Sequence, residues 1–298
     1  MKRLAIIDLG TNTFNLLVID KSADGFKEVY STKVGVGLGL GGINENRIHE
    51  SAEKRALETL EDYKQKAEEL NATQIVAFGT SAIRNAVNQI EFTQLVKEKT
   101  GIDIEVISGD REAELIYKGV TIGIEVDQPF LVMDIGGGST EFIYGNDSEL
   151  VKAGSFEIGA SRIYQAFNFS DPYTVENCEE IEKYLEKGVG NFFDSIETNQ
   201  LIGASGSFET FYELLSNKDY PSNEYVYLPK AELMAQLERI IYSSKAEREK
   251  DDRIIPIRKK MAPIAAVKIR WIIRKLNIQK ITISPYSLKE GVIGEINV

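Results

Sequence analysis

Leu131-Val132-Met133-Asp134-Ile135-Gly136-Gly137-Gly138-Ser139-Thr140-Glu141 is the stretch on which the reading of this chain turns. Three apolar residues run into an aspartate, then a glycine-rich turn, two hydroxyls and a glutamate. A second apolar run, Phe142-Ile143-Tyr144, follows. The pattern predicts a buried strand, a tight loop and a returning strand. Successive glycines let backbone N–H groups crowd round an anion where side chains would block it. Ser139 and Thr140 add hydroxyl donors. Asp134 and Glu141 place negative charge beside that anion site, which calls for a bridging cation, and Mg2+ is the usual ion between carboxylates and phosphates.

The same device occurs near the start, at Ala5-Ile6-Ile7-Asp8-Leu9-Gly10-Thr11-Asn12-Thr13, and returns as Leu16-Leu17-Val18-Ile19. A strand–Asp–x–Gly–hydroxyl–strand unit that recurs 126 positions later implies two related halves. In the first half, strands are expected at 4–9, 14–20, 26–36, 74–78 and 104–107, with helices at 50–70 and 89–99. In the second, strands are expected at 130–134, 141–145, 149–155, 201–204 and 280–283. Its helices are expected at 160–168, 174–196, 207–216, 230–243, 259–276 and 287–296. Three antiparallel strands followed by alternating helices and strands predict an α/β fold, a mixed sheet with helices on its faces in each half. The boundary falls near 125–129, giving domains 1–126 and 127–298 around a cleft, with the last helix free to pack back on the first domain.

At 298 residues the chain is long enough for about two domains. Its 43% hydrophobic and 27% charged residues are those of a soluble globular protein. Asp8 interrupts the first apolar run too early for a signal peptide. No run approaches the roughly 20 apolar residues of a membrane helix. A cytoplasmic protein with no membrane partner is expected. The single cysteine, Cys178, excludes an internal disulfide, cannot build a zinc site alone and is expected to be a buried small hydrophobe or a neutral helix position. His49 is read as a surface residue and Trp271 as core.

The net charge of −11 repels polyanions at long range and argues against binding a nucleic-acid duplex. Residues 245–280 nevertheless hold 12 Lys or Arg against 4 Asp or Glu. Within that stretch Arg258, Lys259 and Lys260 are expected to lie partly exposed and to steer a polyanion locally. Gly35 to Gly42 contains five glycines and reads as a mobile loop or as a lip of the cleft.

Three strand-to-helix junctions add anion-binding signals. Gly79-Thr80-Ser81-Ala82-Ile83-Arg84 offers hydroxyls, N–H groups and a guanidinium fork. Ile107-Ser108-Gly109-Asp110-Arg111-Glu112-Ala113-Glu114 puts Glu112 in a first helical turn, and Gly203-Ala204-Ser205-Gly206-Ser207 is the third. All three lie at carboxyl ends of expected strands, where open α/β sheets bind ligands. No Gly-x-x-x-x-Gly-Lys-Ser/Thr sequence occurs.

Together these motifs, with Leu288-Lys289-Glu290-Gly291, resemble the exopolyphosphatase/guanosine pentaphosphate phosphatase (Ppx/GppA) family within the actin/Hsp70/sugar-kinase superfamily, over nearly the whole chain. The resemblance implies two ribonuclease-H-like domains with the active site between them. It implies Mg2+-dependent (or other divalent-cation-dependent) release of terminal phosphate from inorganic polyphosphate, or of the 5′ γ-phosphate from guanosine pentaphosphate. By resemblance, Glu112 is the general base. Asp134 and Glu141 serve catalysis and, with Asp8, the metal. Thr11, Asn12, Thr13, Arg84, Gly136, Gly137, Gly138, Ser139, Thr140, Ser205, Gly206 and Ser207 hold phosphates. A small-molecule kinase, a non-catalytic nucleotide-binding or assembly protein, and a homodimer remain alternatives. The chain departs from many relatives at Gly37 and Leu40, where they carry an Arg and an acidic residue. It departs again at Pro285 and Tyr286, where they read Asp-Gly.

Overall fold

The computed structural model describes residues 2–296 apart from Asp24, Glu125, Asp127 and Ser222. The expected boundary at 125–129 falls partly outside the described residues. The first half contains β1 (Lys2–Leu9), β2 (Phe14–Ser22), β3 (Gly25–Val34), α1 (Glu50–Glu69), β4 (Gln74–Gly79), α2 (Ser81–Arg84), α3 (Gln89–Thr100), β5 (Ile104–Val106) and α4 (Gly109–Val120). The second contains β6 (Phe130–Ile135), β7 (Thr140–Gly145), β8 (Leu150–Phe156), α5 (Ala160–Ala166), α6 (Val175–Val189), β9 (Gln200–Ala204) and α7 (Gly206–Ser216). It continues through β10 (Val226–Leu228), α8 (Lys230–Ile241), α9 (Lys245–Glu249), α10 (Ala262–Lys275), β11 (Lys280–Ile283) and α11 (Leu288–Ile293).

The two sheets share one plan. The first runs β3-β2-β1-β4-β5 and the second β8-β7-β6-β9-β11, with β10 added at its far edge. In each, a three-stranded antiparallel meander is extended by parallel strands. This is the fold expected from the two Asp-x-Gly hairpins. β6, Phe-Leu-Val-Met-Asp-Ile, is buried at every residue, as a strand covered on both faces must be. β3 sits at an edge and is largely exposed.

Several boundaries differ for local reasons. The helix expected over 174–196 stops at Val189 because Gly190 takes φ +54°, and a short 3-10 turn covers Phe192–Ser195. The helix expected from 259 begins at Ala262, with Pro263 in its first turn, where a missing N–H costs nothing.

α4 and α11 lie between the sheets. α4 follows the first sheet yet packs on β7 and β8 of the second, while α11 follows the second and packs on β1 of the first. They meet at glycines: a Cβ on Gly119 would lie 1.9 Å from the Ser287 carbonyl oxygen, and one on Gly291 1.9 Å from that of Leu115. A core formed by Leu4, Ile6, Ile116, Val132, Ile202 and Val292 joins the halves here. The crossing brings the first turn of α4 over the β6–β7 hairpin. Among the described residues no helix is long and apolar enough to cross a membrane.

The Gly35–Gly42 segment is a lip tied to both walls. Gly37 N donates to Asn12 O (2.9 Å) and Gly39 N to Thr11 O (3.0 Å). From α5 of the second half, Gln165 Nε2 donates to Gly39 O (3.1 Å) and Gln165 Oε1 accepts from Gly41 N (2.8 Å). His49 Nε2 lies 2.9 Å from Gly41 O, on the surface as expected. Cys178 and Trp271 are buried.

Candidate active site

The two hairpin loops face each other across a cleft of about 180 Å³. Thr11, Asn12 and Thr13 form one wall; Gly136, Gly137, Gly138 and Ser139 form the other, with Ser205, Gly206 and Ser207 at the start of α7. The loops approach so closely that a Cβ on Gly137 would meet Asn12 Cγ at 2.7 Å and one on Gly138 would meet Thr11 Oγ1 at 2.8 Å. Ser205 itself holds φ +65°, a strained value for a non-glycine residue and common where a loop presents its N–H groups to a ligand.

Register places the carboxylates. Asp134 is paired opposite Glu141, and Asp8 opposite Asn15, so each hairpin carries its aspartate at the cleft end. Asn15 Nδ2 donates to Asp8 Oδ2 (2.9 Å), Ser287 Oγ to Asp134 Oδ2 (3.0 Å) and Ser155 Oγ to Glu141 Oε1 (2.6 Å). Glu112 projects from the first turn of α4, whose N-cap Ser108 Oγ accepts from Arg111 N (3.1 Å). Arg84 Nη1 lies 2.7 Å from Glu112 Oε2 and also donates to Ile107 O (3.2 Å). Arg84 therefore orients Glu112 and does not itself line the cleft.

Burial dominates the electrostatics. It raises the Glu112 carboxyl well above its usual range, with the Glu141 charge adding to the rise and Arg84 opposing it. Burial and Asp134 lift Glu141 to about 7; burial lifts Asp8 to about 6 and Asp134 upward. Lys268, fully buried in α10, reaches the back of the loop. Its ammonium donates to Thr140 Oγ1 and to Ile158 O (2.6 Å), and burial lowers it to about 7. Thr140 thus braces the loop from behind and does not line the cleft.

The basic stretch does not form one surface. Arg270 pairs with Glu182 and Glu238, Lys275 with Glu186, Arg253 with Asp251, and Arg248 is buried against Ser243 and Lys259 O. Arg258 enters the cleft, donating to Gly206 O (2.6 Å) and Thr210 Oγ1 (3.2 Å). Lys259 Nζ donates to Glu249 O (2.7 Å), and Lys260 is exposed. The three cations expected to steer together thus lie in three different settings.

The Ppx/GppA phosphatase family matches residues 17–297. The chain belongs to this family. It is similar to an exopolyphosphatase from Cytophaga hutchinsonii, with 33% identity, 99% of both chains covered and a TM-score of 0.95. It is also similar to an exopolyphosphatase-like protein (25% identity, 99% of this chain and 97% of that one, TM-score 0.91). The Aquifex aeolicus Ppx/GppA family member shares the fold at 23% identity, 99% and 97% coverage and a TM-score of 0.81. The chain is accordingly a phosphatase of the Ppx/GppA type on the two-domain ribonuclease-H-like fold.

Phosphatase chemistry of this kind raises the question of a metal. Asp8, Glu112, Asp134 and Glu141 share one cleft, and burial raises the pKa of each. Among the described residues no three His, Cys, Asp or Glu side chains gather closely enough to cage an ion alone. Such a donor set fits an ion like Mg2+, which takes one or two carboxylates and completes its shell with water and phosphate oxygens. Sequence reasoning missed Lys268, Lys33 and Glu209, and quoted Lys289 only within a family motif without a role. For Lys268 a signal existed: a lone lysine inside Ala265-Ala266-Val267-Lys268-Ile269 cannot stay buried without a task.

Proposed function

We propose that this chain is an exopolyphosphatase that releases terminal phosphate from inorganic polyphosphate with the help of Mg2+ or another divalent cation. The observation that carries the proposal is Glu112. It is buried, oriented by Arg84 at 2.7 Å, and opens on a cleft walled by two glycine–hydroxyl loops. The likeness to an exopolyphosphatase over 99% of both chains supports the same substrate class.

Glu112 accepts a proton from a water molecule, and burial, by raising its pKa, makes it a stronger base than an ordinary carboxylate. The water oxygen bonds to the terminal phosphorus as the bridging P–O bond breaks, and the shortened chain leaves with that bond's electrons. The loop at Thr11–Thr13 and that at Gly136–Ser139 hold phosphate oxygens through N–H and hydroxyl groups. Arg84 keeps Glu112 aimed. A divalent ion held by Asp134 and Glu141, with Asp8 alongside, would neutralise charge on the phosphoryl oxygens. Phosphoryl transfer depends on such neutralisation and on a placed water more than on a covalent nucleophile.

The apolar wall at Phe211, Met261, Ala262 and Ala265 favours a second reading, in which a nucleobase sits there and guanosine pentaphosphate is the substrate. Phosphate release from polyphosphate and from guanosine pentaphosphate, side by side and with and without Mg2+, tests both. Faster Mg2+-dependent release from polyphosphate is expected. Release from guanosine pentaphosphate alone would overturn the first reading in favour of the second.

A further inference from the structure

Among the described residues, the cationic side chains that line the cleft are Lys33, Arg258 and Lys289. They come from β3, from the turn before α10 and from the start of α11, far apart in sequence. Glu209, in the first turn of α7, faces the same cleft, and Arg258 Nη1 donates to Gly206 O (2.6 Å) and Thr210 Oγ1 (3.2 Å) in that turn. Lys33 Nζ lies 2.8 Å from Glu209 Oε2, a pair that joins the first half to the second across the cleft. Together the three cations hold the Glu209 carboxyl below its usual range despite its burial. The charges acting most strongly on Glu112 are Glu141 and Arg84, whereas Lys289 acts on Asp8 and Arg258 on Asp134, so the cluster borders the hairpin aspartates rather than the candidate base.

We infer that Lys33, Arg258 and Lys289 form a subsite for a non-reacting phosphate of the substrate chain, and that Glu209 is its built-in competitor. The inference rests on the phosphate-chain substrate proposed above. A carboxylate paired to one cation and sharing its cleft with two more, where the other walls are anion-binding loops, stands where the next anion binds. The lock is a weak one. The Lys33 and Glu209 side chains keep 34% and 29% of their surface exposed, and water screens an ion pair that is open to it. A phosphate carries more charge and three oxygens, so it can take the cations from Glu209. A ligand with a single anionic group gains less from that exchange than a chain that also fills the loops. Glu209 thereby sets the specificity for oligophosphates.

The inference is distinguishable from a simple latch between the halves. If the pair were only a latch, removing either partner would have the same effect. As a subsite and its competitor, the partners act in opposite directions. With inorganic tripolyphosphate, Glu209→Gln should lower KM by on the order of fivefold and Lys33→Gln should raise it by a similar factor, while kcat moves less in both. Calorimetric binding of tripolyphosphate to both variants and to the unsubstituted protein gives the same comparison without turnover. If the protein binds tripolyphosphate but releases no phosphate, the substrate reading fails and the binding comparison still decides the subsite. Opposite shifts support the inference. Shifts in one direction, or no shift, overturn it.

Discussion

Glu141→Gln removes a negative charge from a site where burial and Asp134 both penalise it. In the folded protein Glu141 keeps its proton up to about pH 7, against an ordinary value of 4.5. Below that ordinary value the group is protonated in both states and costs nothing. As pH rises between the two values the unfolded chain releases its proton first, so the folded state loses stability, and the full cost is reached above about pH 7. A shift of this size corresponds to about 3 kcal/mol as an upper limit. Part of it belongs to the shared repulsion with Asp134, so a single neutralisation should recover about 1–3 kcal/mol. Glutamine keeps an oxygen for Ser155 Oγ, so the hydrogen bond is preserved in kind. Thermal unfolding followed by circular dichroism in metal-free buffer should show the variant more stable at pH 8, by about 3–10 °C. The difference should vanish towards pH 4.5. A variant no more stable than the unsubstituted protein at pH 8, or a gain independent of pH, would refute the reasoning.

Asp134→Asn should raise the Mg2+ concentration needed for half-maximal phosphate release, because it removes a carboxylate beside the ion's site; an unchanged requirement would place the ion elsewhere. Arg258→Ala should raise KM for long polyphosphate about tenfold, whereas Lys260→Ala should change it less than about twofold at physiological salt, since a solvated charge is screened. Equal effects would restore a common steering patch. Gly119→Ala should destabilise the protein by about 1–3 kcal/mol or more in chemical denaturation, because the new methyl collides with the Ser287 carbonyl; a neutral effect would mean that α4 and α11 separate readily.

The fold was legible because its two hairpins announce themselves locally. Asp8 and Asp134 each end an apolar strand ahead of a glycine, and one period-two pattern fixes both the strand and the face it presents. β10 was invisible because three residues are too few to show a period, and it exists only by pairing with β11. The candidate base was legible as a residue, since Ser108 caps a helix that Glu112 must join, but its orientation was not. Arg84, read as a phosphate ligand, pairs with Glu112, 28 positions away, a partnership created by the parallel pairing of β4 with β5, which sets the two strand ends side by side. The basic stretch misled for the same reason. Composition counts Arg248 and Arg270 as surface charge, whereas tertiary packing buries both beside acidic or carbonyl partners. Lys33 and Glu209 lie 176 positions apart, and nothing local marks either as a partner of the other.

The central claim is that Glu112 activates the attacking water while the loops hold the phosphates. It is tested most directly by single-turnover phosphate release from polyphosphate by Glu112→Gln, with binding of tripolyphosphate measured on the same protein. We expect release to slow by about 10^2- to 10^4-fold while binding is retained. Release at an undiminished rate, with binding intact, would contradict the assignment of Glu112 as the base.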